Sequence, residues 1–386
     1  MLGLVSLAEL LGMSVWFAAA AVAPHLSERW GLSIAEAGWL TTVVQLGFVA
    51  GTACAAALNL ADLVPARRYF AIAALLAALA NASLIAVPGY AAALGSRFLT
   101  GFFLAGVYPP AMKMIATWFR SLRGLAIGTV VGALTVGKAT PYLVHAASGV
   151  RVETVVLATT LCGTLAAVLI AAGYRDGPFP FERRAFSLDL AFTVWRHRET
   201  RLAIAGYLGH MWELYAMWTW IPAFMVASAA ARVAAGHGAV DARYADLMAF
   251  GALAAGGLGC VWAGFAARTL GYARVVQIAM AASGACSLLI GLCFGASPWL
   301  LVPVALVWGF FVVADSAQFS ALVTEAAPRH AVGTALTLQT SMGFLLTMVT
   351  MQMVPWIAGA IGWRWSFAVL AIGPALGIAA IRRLRR

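Results

Sequence analysis

Six charged residues interrupt the long apolar stretches of this sequence, and they are the side chains best placed to do chemistry: Glu9, Arg97, Lys113, Lys138, Glu213 and Asp315. A charge at the centre of a bilayer span costs about 2.5–3.5 kcal/mol on insertion scales, so a charge kept there marks a functional candidate. Carboxylates in such surroundings can bind and release protons, and buried cations can bind anions.

Proton chemistry is indicated most strongly around His210 and Glu213. The two residues are three positions apart, which places them on one face of a helix. A histidine beside a carboxylate can change its charge near neutral pH. We therefore predict a proton relay of His210 and Glu213, with Asp315 and Glu9 as further proton-coupling residues. In the alternative interpretation, Glu213 only holds His210 in place.

Anion binding is indicated by two cations in apolar runs. The planar guanidinium of Arg97 suits a carboxylate or a phosphate, and Lys138 lies too near the middle of its run to reach water easily. We predict both as substrate ligands, together with aromatic side chains of one downstream segment: Tyr207, Trp218 and Trp220. Alternatively, Arg97 makes a salt bridge with an acid on another helix, and Lys138 is half of a buried ion pair.

The elements that carry these residues follow from the composition. Of 386 residues, 63% are hydrophobic and 10% are charged, whereas soluble chains are about 45–50% apolar and about 25% charged. This excludes a soluble enzyme, a secreted disulfide scaffold and a disordered chain. Apolar stretches of about 20 residues, the length of a membrane-spanning helix, predict twelve spans near residues 3–24, 36–58, 69–88, 92–115, 124–147, 152–173, 202–226, 245–266, 275–295, 299–323, 331–353 and 364–381.

The basic residues predict the orientation of this all-α polytopic membrane protein. With the N-terminus inside, seventeen arginines fall on the inner side and five on the outer side. Because basic residues collect on the cytoplasmic side, we expect both termini in the cytoplasm and the chain in a bacterial-type inner membrane. We therefore attribute the net charge of +11 to the basic residues that orient the chain in a lipid bilayer. We expect no nucleic-acid partner.

The sequence repeats itself around a polar midpoint. Gly101-Phe102-Phe103 recurs as Gly309-Phe310-Phe311, and Gly128-Thr129 recurs as Gly333-Thr334, at offsets of 208 and 205 residues. These offsets predict a duplicated six-helix unit: an N-terminal bundle (1–175), a cytoplasmic linker (176–200) and a C-terminal bundle (201–386). Within the linker, 187–198 is typical of a short amphipathic helix that rests at the membrane surface. In the alternative interpretation, this stretch is a solvated connector.

Several motifs give the chain a resemblance to the major facilitator superfamily (MFS). Leu60-Ala61-Asp62, followed by Arg67, resembles the loop signature of that family, and Arg268 follows the corresponding eighth span. The stretch from Arg97 through Gly101 to Ala105 resembles its fourth-span pattern. The resemblance implies twelve helices in two pseudo-symmetric bundles and a conformational role for Asp62, Arg67 and Arg268. It also implies a cavity lined by the first, fourth, seventh and tenth spans, which carry Glu9, Arg97, His210 with Glu213, and Asp315.

The predicted function is secondary active transport by alternating access, coupled to protons, of a small organic anion. No phosphate-binding loop motif indicates ATP coupling, and we expect a monomer that is not an enzyme and uses no cofactor or metal. One alternative is proton-coupled efflux of amphipathic or cationic compounds, which aromatic side chains would bind by cation–π contacts. Another is a sensor or assembly factor of the same fold that transports nothing.

Overall fold

The computed structural model describes residues 1–119, 122–148, 151–179, 188–241, 243–328 and 330–384. Contacts within the chain divide it into two compact units, Met1–Leu188 and Asp189–Arg386. Every regular element among the described residues is a helix.

Unit 1 is built from helices α1 to α10 among its described residues. Their bounds are α1 (Leu2–Met13), α2 (Ala18–Ala21), α3 (Ala23–Trp30), α4 (Ile34–Ala57), α5 (Leu60–Leu63), α6 (Ala66–Ser83), α7 (Tyr90–Leu104), α8 (Tyr108–Ala116), α9 (Arg123–Ser148) and α10 (Val152–Gly173). A further helix, α11 (Leu188–Arg196), begins at the last residue of this unit.

Unit 2 continues with longer helices and two short 3₁₀ turns. Their bounds are α12 (Arg198–Ala234), α13 (Tyr244–Leu270), α14 (Tyr272–Leu292), α15 (Pro298–Ala314), α16 (Ser316–Ala326), α17 (Val332–Ile361), the 3₁₀ turns Trp363–Trp365 and Ala368–Ala371, and α18 (Ile372–Leu384). Two of these helices, α15 and α16, are separated only by Asp315.

Ten helical segments of the described chain are long and apolar enough to cross a membrane. They are Ile34–Ala57, Tyr90–Ala116, Gly124–Ala147, Val152–Gly173, Arg198–Ala234, Tyr244–Leu270, Tyr272–Leu292, Pro298–Ala326, Val332–Ile361 and Trp363–Leu384. The predicted spans 3–24 and 69–88 are not among them. The first is broken into α1 and α2, and the second corresponds to α6, which has 18 residues and carries two arginines in its first turn. The count of twelve therefore stays a prediction.

The break in the first predicted span lies at residues 14–17. Here the backbone forms tight turns, in which Ser14 N–H donates to the Leu11 carbonyl and Trp16 N–H donates to the Met13 carbonyl. The Ser14 hydroxyl also donates to the Leu11 carbonyl, at 2.7 Å. A hydroxyl that bonds back to the preceding turn competes with the regular helical pattern, and nearby carbonyls are left to find other donors.

The repeated glycines lie at matching helix crossings, one in each unit. A Cβ added to Gly101 on α7 would overlap the Val44 carbonyl on α4, and one added to Gly309 on α15 would overlap the Ala252 carbonyl on α13. Small residues allow two helix backbones to approach this closely. The sequence repeat therefore corresponds to a repeated packing arrangement, α4 against α7 and α13 against α15.

The predicted amphipathic helix at 187–198 is present as α11, although Ser187, the first residue of the predicted range, lies outside the described residues. Val194 is fully buried and packs against Ala203 and Val323, whereas Phe192 and Trp195 are exposed. The helix is therefore docked on unit 2 by one face and presents two aromatic rings outward.

The predicted conformational loops lie at two separate helix ends. The side chain of Asp62, in α5, is outside the described part of the chain. Arg67, at the start of α6, donates a hydrogen bond to the Ala171 carbonyl of α10. Arg268 is exposed in the last turn of α13. A role of these residues in conformational change stays a prediction.

Candidate functional site

The carboxylate of Glu213 is held by two donors in unit 2. It lies on α12 and is 1% exposed. Its Oε1 accepts a 2.6 Å hydrogen bond from the indole Nε1 of Trp308 on α15, and its Oε2 accepts a 2.8 Å bond from the hydroxyl of Ser283 on α14. A buried charge is tolerated only where it is compensated in this way, so three helices converge on one carboxyl group.

The two donors differ in the protonation states of Glu213 that they can accommodate. The Trp308 indole can only donate, which fixes Oε1 as an acceptor. The Ser283 hydroxyl can donate and accept, and the Met280 carbonyl lies 3.3 Å from it as a second acceptor. When Oε2 carries a proton, it can donate to Ser283, which then donates to Met280. The Glu213 carboxyl group can therefore be satisfied with or without its proton.

A second acid lies at a helix break close by. Asp315 is the single residue between α15 and α16, and its Oδ1 lies 2.8 Å from Nδ1 of His210 on α12. Both side chains are buried, and Nε2 of His210 has no hydrogen-bond partner among the described residues. The Asp315 and Glu213 carboxylates also interact electrostatically, so protonation of one changes the proton affinity of the other.

This arrangement corrects one interpretation of the sequence. His210 and Glu213 share a helix, but the hydrogen bonds of Glu213 go to Ser283 and Trp308, and the acid in contact with His210 is Asp315. Glu213 therefore does not hold His210 in place. A residue three positions away on a helix is a neighbour by position, but long-range packing decides which partner its side chain contacts.

Two aromatic rings flank the histidine of this cluster. The rings of Tyr207 and Phe319 lie 5.7 Å from the His210 ring, centroid to centroid. Trp218 is buried against Tyr215 at 5.3 Å. Trp220 donates a 2.7 Å hydrogen bond to the Met351 carbonyl, which ties its indole to α17. The predicted aromatic ligands thus lie on one helix, with Tyr207 adjacent to the cluster.

In unit 1, Arg97 is fully buried and donates hydrogen bonds to backbone carbonyls at the break in the first predicted span. Its guanidinium donates from Nη2 to the carbonyls of Val15 and Trp16, at 2.9 and 2.7 Å. Its Nη1 donates to Oδ1 of Asn81 at 2.9 Å. The predicted alternative of a salt bridge with an acid is wrong for the described residues, because these acceptors are two carbonyls and an amide. Arg97 supplies donors where the helix break leaves acceptors in apolar surroundings.

Lys138 and Glu9 form a second buried charge cluster in unit 1. Their charges interact across the contact between α9 and α1, and the ammonium Nζ lies 3.9 Å from the ring centroid of Trp16, a cation–π contact. Both oxygens of Glu9 are buried without a hydrogen bond from the described residues. The ion-pair interpretation of Lys138 stays a prediction, with Glu9 on the neighbouring helix as the candidate partner.

The structure thus sorts the predicted residues into two clusters, one in each unit. Unit 1 contains Glu9, Lys138 and Arg97, and unit 2 contains His210, Glu213 and Asp315. Sequence reasoning missed four partners of these residues: Trp16, Asn81, Ser283 and Trp308. Asn81 carried a usable signal, since an amide inside an apolar run is costly unless it is bonded. Serine and tryptophan are common in such runs, so no signal in the sequence marked Trp16, Ser283 and Trp308. Among the described residues, no three histidine, cysteine or acidic side chains come together as a metal site.

Comparisons with known proteins agree with this architecture. The sequence model of the Major Facilitator Superfamily matches residues 5–236. A solved bacterial homologue of the human lysosomal transporter Spinster, inward-facing and unoccupied, is similar over 100% of this chain and 97% of its own, with a TM-score of 0.72 and 16% identity. The nucleoside transporter NupG, solved as a point mutant, is similar over 100% of both chains, with a TM-score of 0.75 and 13% identity. A comparison with curated proteins gives no match.

Proposed function

Because this chain belongs to the Major Facilitator Superfamily of membrane transporters, we propose that it is a secondary active transporter that works by alternating access and is coupled to protons. Its substrate in this proposal is a small organic anion. The proposal includes twelve spans in two six-helix bundles, with both termini in the cytoplasm. At identities of 13–16%, the similarity to the solved structures concerns the fold alone.

The observation that carries proton coupling is the bonding of Glu213. A carboxyl group that only stabilised the fold would need partners for one protonation state. The pairing of a fixed donor, Trp308, with a reversible one, Ser283, accommodates both states. Asp315 and His210 then form the second half of the relay, because their contact can hold or pass on a charge without exposing it to lipid.

The anion assignment depends on Lys138. Its ammonium is buried and interacts with the charge of Glu9, whose oxygens accept no hydrogen bond from the described residues. When Glu9 binds a proton, its negative charge no longer compensates the Lys138 ammonium, which favours the binding of an anion beside this lysine. Substrate binding and protonation are thereby linked in unit 1. The guanidinium of Arg97 is engaged by three acceptors, so we assign Arg97 to positioning the broken first span beside Trp16.

Transport by purified protein in proteoliposomes tests the coupling. We expect Glu213→Gln to abolish flux driven by an imposed pH gradient but to keep counterflow exchange, because the carboxamide mimics the protonated acid. Glu325→Gln, which neutralises an exposed acid at the end of α16, is the matched control and should transport like the wild type. Gradient-driven flux that persists in Glu213→Gln would overturn the proton-coupling proposal.

The two lysines of the chain provide a matched test of the anion. Lys138→Met should raise the apparent KM for transported organic anions at least about tenfold, the value of one interaction of about 1.4 kcal/mol. Lys113→Met, which removes a partly exposed charge, should leave it within about twofold. If a panel of anions shows no change in Lys138→Met, the substrate class is wrong.

A second candidate function follows from the aromatic rings of unit 2. Tyr207 and Phe319 flank His210, and Tyr215 packs against Trp218, which suits an amphipathic cation through cation–π contacts. Efflux of such compounds predicts resistance when the protein is expressed in a pump-deficient host. The organic-anion proposal predicts no resistance, so the same host separates the two functions.

A further inference from the structure

Unit 2 contains a groove of about 420 Å³ at one end of its helices. It is lined by the start of α12, the end of α18 and Trp195 of α11. Three arginines contribute to its wall, Arg198, Arg201 and Arg383, and all three are exposed. Its remaining surface is aliphatic and includes Leu208. The groove therefore has a cationic part and an apolar part.

No carboxylate of the described residues neutralises the cationic part. Within the part of the chain that the structure describes, no acidic residue lines the groove, although Glu199 is exposed next to Arg198 in the sequence. Among the described residues, none of the three arginines pairs with a carboxylate. Guanidinium groups bind phosphate oxygens through paired N–H donors, so the wall is suited to a phosphate-bearing anion.

The apolar part indicates what the phosphate is attached to. Arg201 and Leu208 are seven residues apart on α12, which is about 10 Å along the helix axis. Both α12 and α18 lie within segments able to cross a membrane, so we expect the arginine end of the groove at the headgroup level and the Leu208 end toward the hydrocarbon. Trp195 is 53% exposed on the lining and Phe192 is 70% exposed on the same short helix, as is typical of rings at a membrane interface.

We propose that this groove binds an anionic phospholipid. Its phosphodiester contacts Arg198, Arg201 and Arg383, its acyl chain lies along α12 toward Leu208, and the Trp195 ring covers the glycerol region. Charge complementarity selects an anionic headgroup, and the aliphatic half of the groove favours a lipid over inorganic phosphate. The site lies outside the acid clusters and is independent of the proposed transport function.

Native mass spectrometry of the full chain, purified and equilibrated with equal amounts of phosphatidylglycerol and phosphatidylcholine, tests the proposal. We expect the wild type to retain phosphatidylglycerol selectively. The double variant Arg201→Gln/Arg383→Gln should retain it about 10- to 30-fold less, since each basic residue near an anionic surface contributes about fivefold in affinity and the two losses multiply. Equal retention of the two lipids by the wild type would overturn the proposal.

The matched control is Arg274→Gln/Arg382→Gln, which removes two exposed charges that do not line the groove. It should retain phosphatidylglycerol within about threefold of the wild type. If both double variants lose the lipid equally, binding follows net charge and the groove is not a site. Thermal unfolding of both variants should match the wild type, because all four side chains are exposed.

Competition with inorganic phosphate distinguishes a phospholipid site from a site that binds only a phosphate group. Added at millimolar concentration, it should leave the retained phosphatidylglycerol in place, because it cannot occupy the apolar half of the groove. Displacement of the lipid by phosphate alone would identify an anion site and refute the lipid assignment.

Discussion

Replacing Trp308 with phenylalanine is the sharpest test of the acid cluster. The indole Nε1 donates the 2.6 Å hydrogen bond to Oε1 of Glu213, and phenylalanine keeps a ring at this position without the donor. The bond stabilises the charged carboxylate, so its loss favours the protonated form. Proton binding by Glu213 should therefore persist to higher pH in this variant.

The size of the shift follows from the bond that is lost. A hydrogen bond to a charged group contributes about 1.5–3 kcal/mol, and one pH unit corresponds to about 1.4 kcal/mol. The midpoint of proton release should therefore rise by about one to two units. Ser283 still donates to Oε2, which keeps the carboxylate from losing all of its compensation.

The assay is infrared difference spectroscopy of the purified protein as a function of pH. The carbonyl stretch of the protonated carboxyl group is assigned by its loss in Glu213→Gln, and its midpoint is compared between wild type and Trp308→Phe. Because Trp308 is fully buried and packs edge-on against Phe367 at 5.1 Å, we also expect a loss of about 1–3 kcal/mol in unfolding free energy. The titration is performed well below the unfolding temperature.

Trp299→Phe is the control, since that indole is 88% exposed. It should change neither the midpoint nor the stability. A midpoint in Trp308→Phe that is unchanged, or that falls, would refute the inference that this indole stabilises the charged form of Glu213.

Three further predictions concern the same two units. Ser283→Ala should move the infrared midpoint less than the indole variant does, because the lost hydroxyl serves both protonation states; a larger shift would contradict this. Arg97→Met should lower the free energy of unfolding by about 2–4 kcal/mol, since it leaves buried acceptors unbonded. Arg151→Met, which replaces an exposed arginine, should have little effect. Equal free energies of unfolding for the two variants would refute the role of the Arg97 guanidinium. Gly309→Ala should lower the free energy of unfolding by about 1–3 kcal/mol through overpacking. Gly333→Ala should not, because there is open space around Gly333. A Gly309→Ala variant as stable as the wild type would contradict the close helix crossing.

The long helices could be predicted from the sequence because they depend on local composition. The predicted span 152–173 coincides with α10, and the predicted span 124–147 differs from α9 by one residue at each end. The close crossing at Gly101 and Gly309 was also indicated, since a repeated small residue within an apolar run is typical of helix contact. In each case the signal lies in the segment itself.

The partners of the charged residues could not be predicted, because they come from distant segments. His210 and Asp315 meet across 105 positions, and Asn81 and Arg97 meet across 16 positions in different helices. The break near Ser14 contains neither glycine nor proline, so no local pattern marks it. It is stabilised by an arginine on α7, which a linear reading cannot connect to it.

The bonding of Arg97 to Val15 and Trp16 sets an order for assembly in the membrane. Helix α1 has 12 residues, about 18 Å of helix, which is shorter than a hydrocarbon core of about 30 Å. The Val15 and Trp16 carbonyls, which follow α1, accept hydrogen bonds from Arg97, which lies 81 residues downstream of Trp16. The segment around Val15 and Trp16 therefore reaches its final bonding only after α7 has entered the membrane, although it precedes α7 in the chain.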